Sequence, residues 1–322
     1  MPILVTGGAG YIGSHTAKAL AQAGLQPVVL DNLQRGHREA VQWGPLIEAD
    51  IGDRAALEKI FREHSIEAVL HFAAFAYVGE SMREPELYFR NNVVNTLSLL
   101  DAMRASRVQT IVFSSTCATY GNPHTIPISE DHPQAPVNPY GESKLMVERL
   151  LHWFGEVHGL RWTALRYFNA AGADPGGQLG EEHYPEPHLI PVAISAAMGQ
   201  TAALEIYGTD YDTHDGTAIR DYLHVTDLGE AHVAALQYLR AGGASTAFNL
   251  GTGCGQSVRD VIAMVERVSG RKVPVREVGR RAGDPPALVA DASKSAKLMK
   301  WRPQHSTLDE IVQTAWNWKN RS

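Results

Sequence analysis

The chain is poor in cysteine, with only Cys117 and Cys254 among its 322 residues. Two thiols in a chain of this length do not make a disulfide framework, so the sequence predicts a reducing compartment, the cytoplasm. Long apolar runs are also missing, since no stretch approaches the roughly 18 apolar residues that a membrane span needs. Met1 leads straight into a strand-like segment without the basic start of a signal peptide. We therefore expect no membrane association.

An excess of positive charge is absent as well. Lys and Arg number 29 against 35 Asp and Glu, which gives a net charge of −6. A nucleic acid is therefore not an expected partner, because it would need a basic patch. The 14 histidines include no His-Glu-x-x-His or similar ligand spacing, and the sequence predicts no metal site.

The sequence does contain a regular alternation of short apolar runs with helix-length segments. The runs are rich in Val, Ile and Leu and cover residues 3–5, 28–30, 46–49, 68–72, 111–113 and 163–165. Buried parallel strands have this composition, and the segments between them are long enough for crossover helices. The alternation predicts the α/β class, with a doubly wound parallel sheet of the Rossmann type.

Glycine is concentrated where the first apolar run ends, with the spacing Gly7-x-x-Gly10-x-x-Gly13. Glycines in such a turn let the backbone approach a pyrophosphate, and the following helix offers free N–H groups. Asp31 ends the second run, where a carboxylate can bond a ribose 2′-OH and repel a 2′-phosphate. The turn and the acid predict a dinucleotide site that favours NAD over NADP.

Two further features bear on this site. Arg35 and Arg38 follow Asp31 closely and weaken the preference for NAD. Asp50 and Ile51 follow the third run, where an adenine-binding pair would fit, although such a pair is more often a simple turn.

The alternation stops after residue 170. Residues 172–191 are rich in Gly, Pro and Glu and are predicted to form a loop. A strand is predicted at 247–250, a glycine turn at 251–255, and a helix behind Ser257, with Asp260 three residues on. We therefore predict an NAD-binding Rossmann domain at 1–170 and a smaller substrate-binding lobe at 171–322, some of whose segments return to the sheet.

Tyr140 and Lys144 lie at a predicted helix start, with Asn138 as N-cap and Pro139 at the first helical position. Their i,i+4 spacing places the phenol and the ammonium on one face of the helix. A nearby cation lowers the pKa of a phenol, so we expect Tyr140 to exchange a proton with a substrate hydroxyl. The alternative is an exposed Tyr and Lys on an ordinary helix.

Hydroxyl groups end the fifth run at Ser114, Ser115 and Thr116. Side chains at the carboxyl ends of parallel strands line the ligand crevice, so Ser115 or Thr116 is expected to bond the reacting oxygen. The alternative is a hydroxyl cluster that caps the following turn.

Taken in order along the chain, these motifs resemble those of the extended short-chain dehydrogenase/reductases, and among them the family of UDP-glucose 4-epimerases. The resemblance runs nearly end to end. Its further blocks are Asp31-Asn32-Leu33, His71-Phe72-Ala73-Ala74, Val78-Gly79-Glu80-Ser81, Leu165-Arg166-Tyr167-Phe168-Asn169, Arg220-Asp221-Tyr222, Arg280-Arg281 and Gly283-Asp284.

The resemblance implies a reaction in which NAD takes a hydride from C4 of a UDP-sugar while Tyr140 takes the O4 proton. The 4-keto sugar then turns over, and the hydride returns to its other face. Lys144 and Thr116 are the implied catalytic partners. The implied cofactor contacts are Gly7, Gly10, Tyr11, Ile12, Gly13, Asp31, Asn32, Asp50, Ile51, Phe72, Ala73, Ala74, Asn91, Ser114, Tyr140, Lys144 and Tyr167. The implied substrate contacts are Thr116, Asn169, Leu189, Tyr207, Arg220, Arg281 and Asp284.

Departures from the family pattern leave the sugar open. Ala76 stands where many members have a cofactor-contacting Lys, and Pro187-His188-Leu189 where many have paired Asn residues. Leu288 stands where some have Tyr, which leaves room for an N-acetyl group. Residues 74–78 and 115–119 also look like members that act on UDP-xylose and UDP-arabinose. UDP-glucose and UDP-galactose are favoured, with UDP-pentoses and UDP-N-acetylhexosamines as alternatives.

Two rival functions share this fold. A 4,6-dehydratase would follow its catalytic Thr with an acid pair, whereas Thr116 is followed by Cys117 and Ala118. A non-catalytic NAD-sensing protein typically loses the Tyr or Lys that this chain keeps. Family members are commonly homodimers, and residues 144–154 and 91–103 are apolar enough to form such an interface.

Overall fold

The computed structural model describes residues 1–281 and 284–321, so Gly283 of the resembling blocks lies outside the described residues. The strands are β1 Pro2–Thr6, β2 Gln26–Asp31, β3 Leu46–Glu48, β4 Ala68–His71, β5 Thr110–Ser114, β6 Arg161–Tyr167, β7 Asn169–Ala171, β8 Leu204–Tyr207, β9 Ile219–His224, β10 Thr246–Leu250, β11 Gly255–Ser257, β12 Val275–Val278 and β13 Ala287–Leu288. The helices are α1 Tyr11–Gln22, α2 Arg54–Glu63, α3 Val78–Ser81, α4 Pro85–Tyr88, α5 Asn95–Ala105, α6 Pro139–His158, α7 Leu189–Ala197, α8 Val225–Arg240, α9 Val258–Ser269, α10 Ser293–Leu298 and α11 Leu308–Lys319.

Seven strands form one parallel sheet in the order β10-β6-β5-β4-β1-β2-β3. The six apolar runs of the first half lie in β1 to β6, so the predicted α/β class and parallel sheet are confirmed. The chain winds outward in both directions from β1, which creates a crevice at the carboxyl ends of β1 and β4. The seventh strand, β10, comes from beyond residue 170 and pairs with β6.

Helices cover both faces of this sheet. Leu4 points into the core formed with α2, α5 and α6, whereas its neighbours Ile3 and Val5 point into the core formed with α1 and α8. This alternation explains why the strands read as continuous apolar runs, since both faces are buried. Among the described helices, none is both long and apolar enough to cross a membrane.

The second half of the chain builds a smaller unit beside the carboxyl edge of the main sheet. Strand β9 pairs with β7, β11 and β13, and β8 pairs with β12. Helices α7, α9 and α11 pack together in a third core. The helix behind Ser257 has the predicted capping box with Asp260.

Two predicted boundaries in this half are wrong by a few residues. The loop predicted at 172–191 ends early, because α7 already begins at Leu189. Pro191 is compatible with that helix since it lies in the first turn, where backbone N–H groups have no intrahelical partner. The glycine turn predicted at 251–255 ends at Cys254, and Gly255 starts β11.

A buried ion pair joins α6 to the centre of the sheet. The Arg166 Nη2 atom lies 2.6 Å from Oε2 of Glu148, and both side chains are almost inaccessible to solvent. Ser115 Oγ donates to Glu148 Oε1 at 2.5 Å, and Arg166 Nη1 donates to the Tyr120 hydroxyl at 2.9 Å. Helix α6, the end of β5 and β6 are thereby held in one register.

We expect Glu148→Gln to lower the free energy of unfolding by about 3–5 kcal/mol, because it leaves the Arg166 charge buried without a counterion. Equilibrium urea unfolding measures the change. The control Glu58→Gln breaks the exposed Arg54–Glu58 pair on α2, and it should leave stability nearly unchanged. Equal losses in the two variants would contradict this assignment.

Candidate active site

The glycine turn between β1 and α1 lies at the crevice of the main sheet. Gly7 has a φ of +71°, and a Cβ added to it would lie 2.6 Å from the backbone nitrogen of Ala73. A Cβ on Gly13 would lie 2.3 Å from the Gly7 carbonyl oxygen. Gly10 caps α1 without a side-chain hydrogen bond, so the N–H groups of Tyr11 and Ile12 at the helix start have no side-chain cap. Because side chains would fill this space, the glycines leave a concave backbone surface, the cradle, that fits a pyrophosphate.

An acidic side chain lies at the end of β2 and another lies just after β3. Asp31 Oδ2 accepts from Ala9 N at 3.0 Å and Oδ1 from Leu33 N at 2.8 Å. Burial raises the pKa of this carboxyl group, although the two backbone hydrogen bonds oppose the shift. Asn32 Nδ2 donates to Asp50 Oδ2 at 2.8 Å, which brings the ends of β2 and β3 together. The structure thus places the predicted ribose-binding and adenine-binding residues side by side.

The two arginines that follow Asp31 are engaged elsewhere. Arg35 Nη2 donates to both carboxylate oxygens of Glu80, at 2.8 and 2.7 Å. Arg38 forms a salt bridge with Glu48. A 2′-phosphate would therefore meet the Asp31 carboxylate while both neighbouring cations are already paired. Because Arg35 and Arg38 are paired, they no longer weaken the preference for NAD over NADP.

The residues after β4 form the other wall of the crevice. Phe72 follows β4 and its ring centroid lies 4.6 Å from that of His232, while Ala73 meets the glycine turn. Ala74, Asn91 and Ile51 also belong to the implied cofactor set, and Ile51 is buried in the core with α2 and α5.

Asn92, beside Asn91, is a positioning residue that the sequence did not reveal. It lies in a π-helical turn at Phe89–Val94. Its side chain bonds both the N–H and the carbonyl of Phe75 and donates to Ser143 Oγ at 3.0 Å. It therefore ties the wall of the crevice to α6. The π-helical turn directs the Asn92 side chain inward, and the local sequence does not indicate a turn of this kind.

Tyr140 and Lys144 lie on the buried side of α6, which Asn138 caps as predicted by accepting from Gly141 N at 2.8 Å. Lys144 Nζ donates to the carbonyl of Ser114 at 2.8 Å, and Ser114 Oγ lies 2.7 Å from the Tyr167 hydroxyl. Ser114 at the end of β5 thus contacts both Lys144 on α6 and Tyr167 at the end of β6.

The pKa of Tyr140 differs from the sequence expectation. Burial raises it well above the usual value, Tyr167 adds to the shift, and a hydrogen bond with Thr116 opposes it. Burial also lowers the pKa of Lys144 to about 7, against a smaller opposing effect of Glu148. The expectation of a lowered pKa for Tyr140 is therefore wrong for the chain alone, because desolvation is the largest cause of the shift.

The implied substrate residues come together in two pairs. Arg220 on β9 forms a salt bridge with Asp284. The Arg281 guanidinium lies over the Tyr207 ring, 4.2 Å from its centroid. Both pairs offer cationic groups with planar N–H donors, which suits a diphosphate.

Two further substrate candidates lie on neighbouring elements. Asn169 begins β7 and pairs with Tyr222 of β9, close to Arg220 in the same small sheet. Leu189 begins α7 and packs against the third core, which leaves its side chain partly buried.

Cys117 connects the two halves of the site. It follows Thr116, and its thiol is buried. Burial raises the pKa of this thiol to about 12, while the charge of Arg220 opposes the shift. Cys117 is also among the groups that raise the pKa of Tyr140. The candidate proton-transfer group and the candidate anion-binding group therefore both lie near Cys117.

Residues 3–251 match the family described as "NAD dependent epimerase/dehydratase family". The chain is 51% identical over 320 residues to the UDP-glucose 4-epimerase of Rhizobium leguminosarum bv. trifolii, with 99% of this chain and 98% of the relative covered.

Solved structures agree with the sequence comparison. The UDP-glucose 4-epimerase of Brucella ovis in complex with NAD superposes with a TM-score of 0.96 at 53% identity, covering 98% of this chain and 97% of that one. A UDP-glucose 4-epimerase of Stenotrophomonas maltophila, with NAD and formylated UDP-arabinopyranose bound, also has a TM-score of 0.96, at 40% identity, covering 99% and 98%.

The lowered pKa of Lys144 predicts a pH dependence of stability in the protein freed of nucleotide. Unfolded chains hold the lysine proton up to about pH 10.4, whereas the folded chain loses it near pH 7. The unfolded state therefore binds more protons between these values, and stability rises with pH there. Relative to Lys144→Met, the wild type should gain about 2 kcal/mol between pH 7 and pH 9 in urea unfolding. Parallel pH profiles of the two proteins would show that Lys144 has an ordinary pKa.

Proposed function

We propose that this chain, which belongs to the NAD-dependent epimerase/dehydratase family, catalyses the NAD-dependent 4-epimerisation of a UDP-sugar, with UDP-glucose and UDP-galactose as the favoured pair. One observation carries the proposal: Tyr140 lies buried at the crevice near Thr116, on the helix that also carries Lys144. A buried phenol beside a second hydroxyl can exchange a proton with a sugar hydroxyl held between them.

The residues of the crevice fit NAD. The cradle around Gly7 and Gly13 accepts a pyrophosphate, and the Asp31 carboxylate suits a ribose with free hydroxyls. When bound, oxidised NAD supplies a hydride acceptor for the sugar C4 and a positive charge that favours the phenolate form of Tyr140.

The chain itself moves the proton. Tyr140 takes the proton of the C4 hydroxyl as the C–H bond breaks and returns it when that bond re-forms on the opposite face. Thr116 holds the same oxygen by a hydrogen bond. Lys144, fixed to the Ser114 carbonyl, supplies a charge near Tyr140 when it is protonated.

The substrate diphosphate is assigned to Arg220 and Arg281. Their guanidiniums are permanently charged and can bond phosphate oxygens through two N–H groups at once. Asp284 already holds Arg220, so it orients the cation and leaves a carboxylate oxygen for a ribose hydroxyl. Asn169, Leu189 and Tyr207 complete the proposed substrate set.

The alternative sugars have specific support. The Stenotrophomonas maltophila relative was solved with formylated UDP-arabinopyranose, which favours UDP-pentoses as second substrates. Leu288 packs beside Phe168 and Cys117 in a small apolar cluster. A leucine there is compatible with an N-acetyl group, so UDP-N-acetylhexosamines are the third candidates.

The dehydratase alternative is disfavoured by the residues after Thr116. Elimination of water needs a proton donor and an acceptor there, and Ala118 offers neither. Burial raises the pKa of the Cys117 thiol to about 12, so it does not act as a base near neutral pH.

A homodimer is the proposed assembly, through α5 and α6. Large apolar side chains are exposed on or next to these two helices: Val94 by 56% directly before α5, Leu97 by 40% on α5, and Trp153 by 62% and Val157 by 67% on α6. Burying them against a second copy would remove apolar surface from water. The unpaired Cys117 and Cys254 support the further proposal of a reducing, cytoplasmic location.

The proposed reaction predicts that the protein with its bound nucleotide interconverts UDP-glucose and UDP-galactose in both directions. Proton NMR of the anomeric signals measures the conversion, and the same assay with UDP-xylose and UDP-N-acetylglucosamine ranks the sugars. Tyr140→Phe should lower kcat by about 10²–10⁴-fold while NAD content stays unchanged. The control Tyr238→Phe, which loses a hydrogen bond to Ala244 far from the crevice, should retain activity. Undiminished turnover in Tyr140→Phe would reject the proposed mechanism.

The dimer predicts that Trp153→Lys halves the mass measured by light scattering at micromolar concentration, because a charge would enter an apolar interface. Val275→Lys, at a comparably exposed valine on β12, is the matched control and should leave the mass unchanged. A wild type of monomeric mass would refute the assembly.

A further inference from the structure

Four ionisable side chains meet in the loop between β7 and α7, outside the proposed catalytic centre. They are Glu181, His183, Glu186 and His188. His188 Nδ1 lies 2.7 Å from Glu181 Oε1 and 2.8 Å from Glu186 Oε1, and His183 Nδ1 lies 3.0 Å from Glu181 Oε1. Both histidines thus direct their Nδ1 atoms toward the carboxylates of Glu181 and Glu186.

The spacing of these donors suits a small tetrahedral ion. All four ligand atoms lie within 4.8 Å of one another. Four ligands at about 2.0–2.2 Å from zinc are separated by roughly 3.3–3.6 Å. The present separations bracket that value, so shifts of side chains alone would open the space that an ion needs.

The cluster contains an acceptor with no partner. Glu186 Oε2 is buried and has no hydrogen bond. The Nδ1 atom of His183 lies 3.8 Å from it, which is too far for a hydrogen bond. A buried carboxylate oxygen that accepts nothing is costly. A cation between the four side chains would satisfy it.

The negative charges of the cluster also favour a bound cation. Glu181 is almost fully buried and Glu186 is largely buried, and two such carboxylates need two positive charges nearby. Two protonated imidazoles would provide them, but their rings lie only 5.2 Å apart and repel each other. One divalent ion provides the same charge with both imidazoles neutral.

We propose that Glu181, His183, Glu186 and His188 bind one divalent transition-metal ion, with zinc as the best-fitting class. Two imidazole nitrogens and two carboxylate oxygens are a tetrahedral zinc ligand set. Magnesium and calcium fit poorly, because they prefer six or more oxygen ligands. The cluster borders the proposed epimerisation site, since His188 directly precedes Leu189, but the proposal of an ion does not rest on the proposed reaction.

The position of the cluster indicates a structural role for the ion. The same loop is joined to α1 by the hydrogen bond from the Tyr11 hydroxyl to the Gly172 carbonyl at 2.6 Å and by the Lys18–Asp174 salt bridge at 2.6 Å. The ring of His183 also lies edge-on to those of Tyr11 and Tyr77. A bound ion would fasten the loop against the helix that starts at the glycine turn.

Protons compete with the ion for the same atoms. Zinc binds imidazole in its neutral form and a carboxyl group in its ionised form, so a proton and the ion exclude each other at these atoms. Binding must therefore release protons, and affinity should fall as the pH is lowered.

The test uses the purified full-length protein with its nucleotide, treated with a chelator and titrated with Co²⁺ at pH 8. We expect one Co²⁺ per chain after gel filtration, with the visible absorption of tetrahedral cobalt, and weaker binding at pH 6. His188→Asn and, independently, Glu186→Gln should raise the Kd at least about tenfold. Zn²⁺ should raise the melting temperature of the wild type but not of these variants.

The matched control is His214→Asn. His214 lies near Asp215 and Asp260 in a more exposed group of one histidine and two carboxylates, and its loss should leave Co²⁺ binding unchanged. A wild type that takes up no stoichiometric Co²⁺ would overturn the proposal whatever the variants do. Undiminished binding in both His188→Asn and Glu186→Gln would overturn it as well, and the cluster would then be an ion-pair network filled by protons.

Discussion

The buried pair of Arg166 and Glu148 is the contact on which the geometry of the crevice depends. Glu148 lies one helical turn after Lys144 and two turns after Tyr140, so fixing it also fixes the rotation of α6 about its axis. Arg166 lies in β6 directly before Tyr167, and Ser115 follows the end of β5. One carboxylate therefore aligns two strand ends with the helix that faces them. A neutral side chain could fill the same space, but it would not hold these three elements in register.

Burial creates the chemistry of the site and also limits it. The same desolvation raises the pKa of Tyr140 and lowers that of Lys144, so the chain alone favours a neutral phenol and a lysine that is only partly charged at neutral pH. Such a pair is a poor base by itself. It becomes effective when further positive charge enters the crevice. In the proposed mechanism, proton transfer is thus linked to cofactor binding by electrostatics.

Features encoded locally were predictable from the sequence, and features that need distant contacts were not. The strands of the main sheet, the Asn138 cap and the capping box at Ser257 all follow from neighbouring residues. The partnership of Glu148 with Arg166 joins side chains 18 positions apart on a helix and a strand, and no periodicity reveals it. The pKa direction of Tyr140 was missed for the same reason, since burial comes from packing. The cluster at 181–188 has a spacing outside the common metal motifs, and only the folded loop brings its donors together.

The small sheet around β9 carries Arg220 of the proposed substrate set, whereas α6 carries the proposed proton-transfer pair. Asp221, next to Arg220, accepts hydrogen bonds from the backbone N–H groups of Thr252, Gly253 and Ala290. These bonds fix β9 to the turn after β10 and to the segment after β13, so Arg220 is held by backbone contacts that do not involve α6. Tyr140 and Lys144 are held by the main sheet instead. The two supports meet in the main sheet, because the turn that holds Asp221 follows β10 and β10 pairs with β6, but they hold different side chains. Leu288 on β13, one of the residues that leave the sugar open, lies in this small sheet.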